Sequence, residues 1–173
     1  MQLEKNLISS RITIRDYRGS DLPFVTAMWF DEENGKYMSD PTREYVDDVY
    51  SKALDELEDN PEGYYLTVVL NGTEKIIGTC CIFPNEKEGS YDIGYCVHKD
   101  HWRQGYGTEI ISLIIEWVRD HGCFEITAQV AKDNVASNAL LRKNGFEVVR
   151  ESEFKKYNMG ICFESNIYRL ELK

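Results

Sequence analysis

A glycine-rich turn between an alternating segment and a strongly apolar helix most constrains what this chain can fold into. Residues 90–98 alternate in the manner of a strand, and the sequence Arg-Gln-Gly-Tyr-Gly-Thr follows at positions 103–108. The next residues carry an apolar stripe at helical spacing, which consists of Ile110, Ile111, Ile114, Ile115 and Val118. Because glycine lets a backbone approach a ligand closely and a helix N-terminus favours negative charge, the turn predicts a cradle for an anion.

Two common glycine motifs do not fit this turn. A dinucleotide-binding fingerprint would need a third glycine at position 110, where the chain has Ile110. A P-loop would need Gly-Lys followed by Ser or Thr, and no such triplet follows. An ordinary turn into a helix stays open as the alternative to an anion site.

The remaining pattern predicts a mixed sheet covered by helices, of the α/β or α+β class. The chain has 173 residues without an internal repeat or an evident linker, which suits one domain over residues 1–173. Strands are predicted at residues 11–15, 64–70, 75–83, 90–98, 124–130, 146–150 and 162–172. Helices are predicted at residues 20–30, at 41–58, from the glycine-rich turn to residue 121, and at 133–143.

The net charge of −10 comes almost entirely from one block, because residues 31–62 hold twelve acids against three bases. This balance argues against a binder of nucleic acid or of an anionic membrane. No apolar run approaches the roughly 20 residues of a membrane helix, and the first residues lack the pattern of a leader, so we expect a cytoplasmic protein. The five cysteines, without a C-x-x-C spacing, predict reduced thiols and neither a disulfide framework nor a metal site.

Two further motifs lie downstream of the turn: Asn134-x-x-Ser137, and a stretch from Leu141 to Phe146 that ends in Lys-Asn-Gly-Phe. Together with Tyr-Asp-Ile-Gly at 91–94, they resemble the GNAT family of acetyl-CoA-dependent N-acetyltransferases. The resemblance covers residues 11–172 and departs at Trp102, where the family has Arg or Gln. The motifs are similar to a branch that includes ribosomal-protein N-terminal acetyltransferases and enzymes acting on small amines.

The resemblance implies a GNAT fold with about four helices, acetyl-CoA as the co-substrate, and strands 90–98 and 124–130 that splay apart. It implies that the coenzyme A pyrophosphate lies on the backbone amides of Arg103, Gln104, Gly105, Tyr106, Gly107 and Thr108. The pantetheine arm would pair with the free strand edge at Tyr95, Cys96 and Val97.

Four downstream residues are further implied cofactor contacts. Asn134 and Ser137 would touch the cofactor near the pantetheine, and Arg142 and Lys143 would approach the nucleotide phosphates. A helix cap is the alternative for Asn134. For Arg142 and Lys143 the alternative is a pair of exposed helix charges without a function.

Direct attack of an amine on the acetyl thioester needs a group that accepts a proton, because an aliphatic amine with a pKa of about 10.4 arrives protonated. Asp92 fits by position, since alternation places it on one face with Gly94 and Cys96. An exposed aspartate that binds a cationic substrate is the alternative. A backbone N–H at Cys96 or Val97 would hold the thioester oxygen as charge develops on it.

The chain lacks the residue that usually donates a proton to the leaving thiolate in this family. Many GNAT enzymes have a tyrosine four residues before the glycine of Gly-Phe, and this chain has Leu141 there. Ser137 is the catalytic candidate in its place, with Tyr168, Tyr157 or a water as alternatives. An acetyl-cysteine scheme at Cys96 is the weaker one, because the sequence places no histidine to activate it except His98 on the neighbouring loop.

The acceptor is expected to be a small cationic amine, polyamine or aminoglycoside-like, because the acidic block falls where the family borders the acceptor. The aromatic residues Trp29, Phe30 and Tyr37 are candidates for that pocket, or for plain core. A protein N-terminus or lysine is the alternative acceptor, and a non-catalytic acyl-CoA sensor is the alternative of another class. A homodimer is compatible with the sequence.

Overall fold

The computed structural model describes residues 1–172, and within them the chain forms one eight-stranded sheet and four α-helices. The strands are β1 (Leu7–Ile8), β2 (Ile12–Asp16), β3 (Tyr64–Leu70), β4 (Ile76–Pro84), β5 (Ser90–Val97), β6 (Glu125–Ala131), β7 (Glu147–Lys155) and β8 (Cys162–Glu171). The helices are α1 (Leu22–Trp29), α2 (Asp48–Asp55), α3 (Tyr106–Asp120) and α4 (Val135–Lys143). The predicted class, a mixed sheet flanked by helices, is confirmed.

The sheet contains one break in its pairing, at the centre. The strand order is β1-β2-β3-β4-β5-β6-β8-β7, and β5 and β6 are the parallel pair among antiparallel neighbours. Their pairing ends where Asp92 lies opposite Thr127. Beyond that point β5 runs on to Val97 and β6 to Ala131. The two strands therefore splay apart, as the resemblance implies, and leave a gap between them.

The helices divide between the two faces of the sheet. Consecutive strand residues point to opposite faces. The ring of Tyr64 meets Trp117 of α3 edge-on at 5.0 Å, whereas Tyr65 packs into the cluster that contains Leu54 of α2 and Val25 of α1. The buried residues of α4 belong to the same core as those of α3. Thus α3 and α4 cover one face, and α1 and α2 cover the other.

Helix α3 forms the main contact with the sheet. Four of the five residues of its predicted stripe have no exposed surface, namely Ile110, Ile111, Ile114 and Val118, whereas Ile115 is half-buried. These side chains pack against strand residues that are equally buried, including Ile12, Ile77 and Ile126. Burying a side chain of this size contributes about 1.5–3 kcal/mol, so the stripe fixes the N-terminus of α3 firmly on the sheet.

The structure differs from the sequence prediction mainly around the acidic block. The helix expected at 41–58 is shorter, because Val46 is extended and the Asp47 side chain caps α2 by accepting the Tyr50 N–H. Val49, an apolar residue of α2, is 72% exposed, so the apolar residues of this segment do not form one buried stripe. The sequence prediction also missed β1 and ended β7 five residues early, at 150 instead of Lys155. These segments gain their pairing from distant strands, which local patterns do not report.

None of the helices within residues 1–172 combines the length and apolarity needed to cross a membrane.

Candidate active site

The turn before α3 forms a concave set of free backbone amides. Arg103 and Gly105 both have left-handed backbones, with φ of 59° and 86°. Among residues 1–172, no protein acceptor takes the N–H of Gly105, Tyr106, Gly107 or Thr108. Free amides at a helix N-terminus suit an anion, and a left-handed non-glycine residue such as Arg103 marks strain that a site often stores. The geometry fits a pyrophosphate.

Arg11 clamps this turn from the far end of the chain. Its Nη1 donates to the Gln104 carbonyl at 2.9 Å, and its Nε donates to Glu109 Oε2 at 2.8 Å. The guanidinium also lies over the Tyr106 ring, 4.5 Å from its centroid. Ser9 donates to the same Glu109 carboxylate. Sequence reasoning missed Arg11, since nothing in an alternating strand start points to a contact some ninety residues away.

Gly107 is explained by helix packing as well as by the anion cradle. A Cβ added there would lie 2.7 Å from Leu140 Cδ2 of α4. The first turn of α3 and the middle of α4 therefore approach each other closely at the cleft.

The gap between β5 and β6 exposes backbone groups on both sides. The His98 N–H donates to Ile77 of β4, and antiparallel bonding alternates, so the Cys96 amide also faces β4. The Tyr95 and Val97 amides consequently face the gap. Of the two amides predicted to hold a thioester oxygen, the Val97 amide is the one so directed. An extended chain with amide groups, such as pantetheine, can pair along this edge.

Trp102, which stands where the family has Arg or Gln, makes a structural contact of its own. Its indole Nε1 donates to the Val97 carbonyl at 2.7 Å, and Asn34 Nδ2 reaches the same oxygen at 3.3 Å. The tryptophan thus joins the glycine-rich turn to the end of β5. This contact holds the phosphate cradle and the strand edge in one arrangement.

Tyr95 and Ser137 meet across the gap. Their hydroxyl oxygens are 2.6 Å apart, and Asn134 caps α4 by accepting the Ser137 N–H at 3.2 Å. Burial raises the pKa of Tyr95 to about 12, although the bond to Ser137 acts in the opposite direction. The Tyr95 hydroxyl therefore stays protonated at neutral pH and remains hydrogen-bonded to the Ser137 hydroxyl.

Asp92 lies on the opposite face, where the gap opens towards α1 and α2. Thr127 Oγ1 donates to its carboxylate at 2.6 Å. Burial raises the pKa of Asp92, and the Thr127 bond counteracts part of this rise. A partly desolvated carboxylate with a raised pKa is well suited to accept a proton near neutral pH.

The other candidate proton donors differ in position. Leu141 has no exposed surface. Tyr168 is equally buried and donates to Asn138 Oδ1 at 2.7 Å, whereas Tyr157 donates to Asp47. Neither tyrosine lines the cleft, and Ser137 does. Ser137 is thus the one of these three hydroxyls that the structure brings to the gap.

Cys96 lines the cleft but is held as a thiol. Its Sγ accepts from Asn34 Nδ2 at 3.1 Å. Burial raises its pKa to about 12, with a further rise from Asp40 and an opposing effect of Asn34. A thiol of this kind is a poor nucleophile at neutral pH, which disfavours the acetyl-cysteine scheme.

A single cleft of about 1150 Å³ connects these parts. The predicted site residues that line it are Asp92, Tyr95, Cys96, Val97, Arg103, Gly105, Tyr106, Gly107, Thr108, Asn134 and Ser137. Gln104, Arg142 and Lys143 do not line it. The Gln104 side chain donates to Asp100 instead, and the Arg142 guanidinium lies 5.7 Å from the centroid of the Tyr168 ring.

The far end of the cleft is aromatic and acidic. Trp29 and Tyr37 line it as expected, whereas Phe30 does not. The sequence did not indicate the other aromatic and acidic residues that line it, which are Tyr17, Glu33, Asp40, Tyr50, Tyr65, Phe83 and Phe154. Within residues 1–172, no three His, Cys, Asp or Glu side chains are grouped to hold a metal ion.

Comparison with known proteins agrees with this geometry. Residues 11–147 match the family described as acetyltransferase (GNAT) domain. The chain is 26% identical over 168 residues to the uncharacterized N-acetyltransferase YoaA of Bacillus subtilis, with 95% of each covered.

Two solved structures share the fold at low identity. The first is an acetyltransferase of Salmonella typhimurium that modifies the N-terminal serine of ribosomal protein L7/L12, with a TM-score of 0.79 at 14% identity and coverage of 98% and 100%. The second is spermidine N-acetyltransferase of Vibrio cholerae in complex with CoA and spermine, with a TM-score of 0.76 at 16% identity and coverage of 94% and 96%. The family match spans most of the chain, so this protein belongs to the GNAT family of acetyltransferases.

Proposed function

We propose that this chain transfers an acetyl group from acetyl-CoA directly to the amine of a small cationic acceptor. The observation that carries the proposal is the gap between β5 and β6. It joins the face with the phosphate cradle to the face with Asp92 and the aromatic, acidic end, within one cleft. Two substrates can thereby approach each other from opposite sides of the sheet.

The residues fit acetyl-CoA, because the free amides of Gly105 to Thr108 suit its pyrophosphate and the edge at Tyr95 suits its pantetheine. When bound, acetyl-CoA supplies an acetyl group activated as a thioester. The Val97 N–H, directed into the gap, stabilises negative charge on a carbonyl oxygen there.

Asp92 acts as the general base. It accepts the proton of the ammonium acceptor, directly or through water, and frees the nitrogen lone pair for attack. Ser137 acts as the proton donor to the departing thiolate, and the hydroxyl of Tyr95 can supply that proton in turn. The proton count balances over the whole reaction: the ammonium nitrogen loses one proton to Asp92 before attack and a second after the C–N bond has formed. As the C–S bond breaks, one proton is delivered to sulfur, and the other is released to solvent.

A small cationic acceptor is supported by the chemistry of the cleft's far end, where Asp40 and Asp92 are accompanied by aromatic rings that favour cations. The Vibrio cholerae neighbour, whose described substrate is spermidine, is compatible with this assignment. A protein N-terminus is the second candidate, and the neighbour that modifies the N-terminal serine of L7/L12 supports it.

A screen for thiol release tests the proposal. Purified protein with acetyl-CoA is offered diamines, polyamines, aminoglycosides and short peptides, and free coenzyme A is measured. We expect release with the small amines. Release of coenzyme A with peptides alone would indicate that the acceptor is a protein N-terminus or lysine. Tight binding of acetyl-CoA without release from any acceptor would instead indicate a non-catalytic acyl-CoA sensor.

A further inference from the structure

Asp40 is a carboxylate that lines the cleft and forms no ion pair among the described residues. It lies in the loop between α1 and α2, and one of its oxygens accepts the Tyr50 hydroxyl. Within residues 1–172, Tyr50 is the one other residue whose side chain donates a hydrogen bond to this carboxylate. Burial raises the pKa of Asp40, and the Tyr50 hydroxyl and the positive charge of Lys156 oppose that rise. A cation bound in the cleft would stabilise the ionised carboxylate further.

The lysines near Asp40 are occupied elsewhere. Lys156 is 6% exposed, donates to the carbonyls of Gly35 and Met38 at 2.7 and 3.0 Å, and does not line the cleft. Lys36 lines the cleft, but its Nζ lies over the Tyr37 ring, 5.0 Å from the centroid. Lys156 thereby fixes the backbone next to Asp40, and its charge acts on the carboxylate without forming an ion pair with it.

Asp40 and Asp92 face the same compartment from different elements. Tyr65, Cys81 and Gly94 form one row across β3, β4 and β5, and the pair Phe83 and Asp92 forms the next row on the same face. Both carboxylates raise the pKa of the Cys81 thiol, so Cys81 lies within electrostatic range of each. Gly94 leaves room for the Cys81 side chain on this face of the sheet, since a Cβ at position 94 would lie 2.8 Å from Cys81 Sγ.

Aromatic rings border the space between the two carboxylates. Tyr65 and Phe83 meet edge-on with centroids 5.4 Å apart, and the Tyr50 ring stands beside the Asp40 carboxylate that it binds. Rings of this kind favour cations and accept methylene groups. This part of the cleft thus contains two carboxylates, Asp40 and Asp92, and aromatic side chains border the space between them.

We propose that Asp40 anchors a second positive charge on the acceptor, so that the substrate is a diamine or polyamine whose other amine reaches Asp92. This inference rests on the proposed acetyl transfer. It adds that Asp40 determines specificity and that the acceptor carries at least two positive charges. Asp40 forms no ion pair in the free protein and gains one when the acceptor binds.

The test compares two substrates of equal carbon length, butane-1,4-diamine and butylamine, in three proteins. Asp40→Asn removes the charge and keeps an oxygen that can accept the Tyr50 hydroxyl. Glu44→Gln is the matched control, because it makes the same change of charge at an exposed position outside the cleft. The measured quantity is the ratio of kcat/KM for the diamine to that for the monoamine.

We expect the wild type and Glu44→Gln to prefer the diamine at least tenfold, and Asp40→Asn to lose at least tenfold of that preference. Equal ratios in wild type and Asp40→Asn would overturn the inference, as would an equal loss in Glu44→Gln, which would indicate a general effect of net charge. Thermal unfolding of Asp40→Asn, compared with the wild type, checks that the variant retains the fold.

Calorimetry separates this inference from the proposed function. Diamine binding to coenzyme A-loaded protein is measured in the wild type and in Asp40→Asn, without turnover. Loss of binding in the variant supports the anchor even if no amine is acetylated. Turnover of amines by a wild type that binds both substrates equally would retain the proposed function and overturn the role of Asp40.

Discussion

Tyr95 of β5 and Ser137 of α4 place their hydroxyl oxygens 2.6 Å apart across the gap where the sheet opens. This pair lies on the face covered by α3 and α4, whereas Asp92 lies on the face covered by α1 and α2. Proton removal and proton return are thus assigned to opposite sides of one opening.

Replacing Ser137 by Ala tests the return of the proton. We expect kcat to fall by about 10- to 100-fold, at the low end of general acid catalysis, because a coenzyme A thiolate is already a tolerable leaving group. The affinity for acetyl-CoA should change little, as measured by calorimetry. A rise in KM for acetyl-CoA with unchanged kcat would mean that Ser137 binds the cofactor and donates no proton.

Replacing Thr127 by Val tests the state of Asp92. The Thr127 hydroxyl stabilises the ionised carboxylate, so its loss raises the pKa of Asp92 further. A base is active when ionised, so the acidic limb of kcat/KM against pH should move to higher pH. Thr127→Ser, which retains the hydroxyl, should keep the original profile. A shift to lower pH in Thr127→Val would contradict the assignment.

Replacing Arg11 by Met tests the clamp on the glycine-rich turn. The variant loses the bonds to Gln104 and Glu109, and the Arg11 side chain is 45% exposed, so we expect a cost near 1 kcal/mol. This corresponds to about a fivefold rise in Kd for coenzyme A. Arg150→Met, at an exposed position on β7, is the control. An equal effect in both variants would attribute the loss to net charge.

Replacing Asp21 by Asn tests the buried ion pair beneath α1. Asp21 is 4% exposed and binds Arg15 through two bonds of 2.7 and 2.9 Å. Leaving Arg15 buried without a countercharge should cost about 3–5 kcal/mol in the free energy of unfolding, measured with urea. Retention of wild-type stability would show that the pair contributes little.

The same pair predicts how stability depends on pH. Burial opposes ionisation of Asp21, but the bonds from Arg15, Arg18 and Thr67 outweigh it and lower its pKa below the ordinary 3.8. A lowered folded-state pKa stabilises the protein above the unfolded value, and this contribution is lost as pH falls through the folded value. Below about pH 4, wild-type stability should fall more steeply than that of Asp21→Asn.

The cofactor half of the site could be predicted from the sequence because its determinants are local. The turn at residues 103–108 and the apolar stripe of α3 lie within thirty residues of β5, and alternation alone assigns Asp92 a face. The acceptor half depends on contacts between distant segments. Asp40 is positioned by the Tyr50 hydroxyl, which it accepts, and by the loop between β7 and β8, where the Tyr157 N–H donates to the Ser39 carbonyl.

The acidic block illustrates why composition was insufficient for that half. Its charge suggested a cationic acceptor, yet of its twelve acids only Asp40 and Glu33 line the cleft among the described residues. Glu33 is paired with Lys99. Asp40 itself is held by the Tyr50 hydroxyl, and Lys156 binds the carbonyls of Gly35 and Met38 just before it, so its position depends on contacts between distant segments.

Asp92→Asn provides the most direct test of the central claim, with N-acetylated butane-1,4-diamine measured by mass spectrometry and acetyl-CoA binding measured in parallel. The account predicts that the variant binds acetyl-CoA as tightly as the wild type and forms product at least about 10²-fold more slowly, because general base catalysis is lost. Wild-type rates of product formation in Asp92→Asn would contradict it.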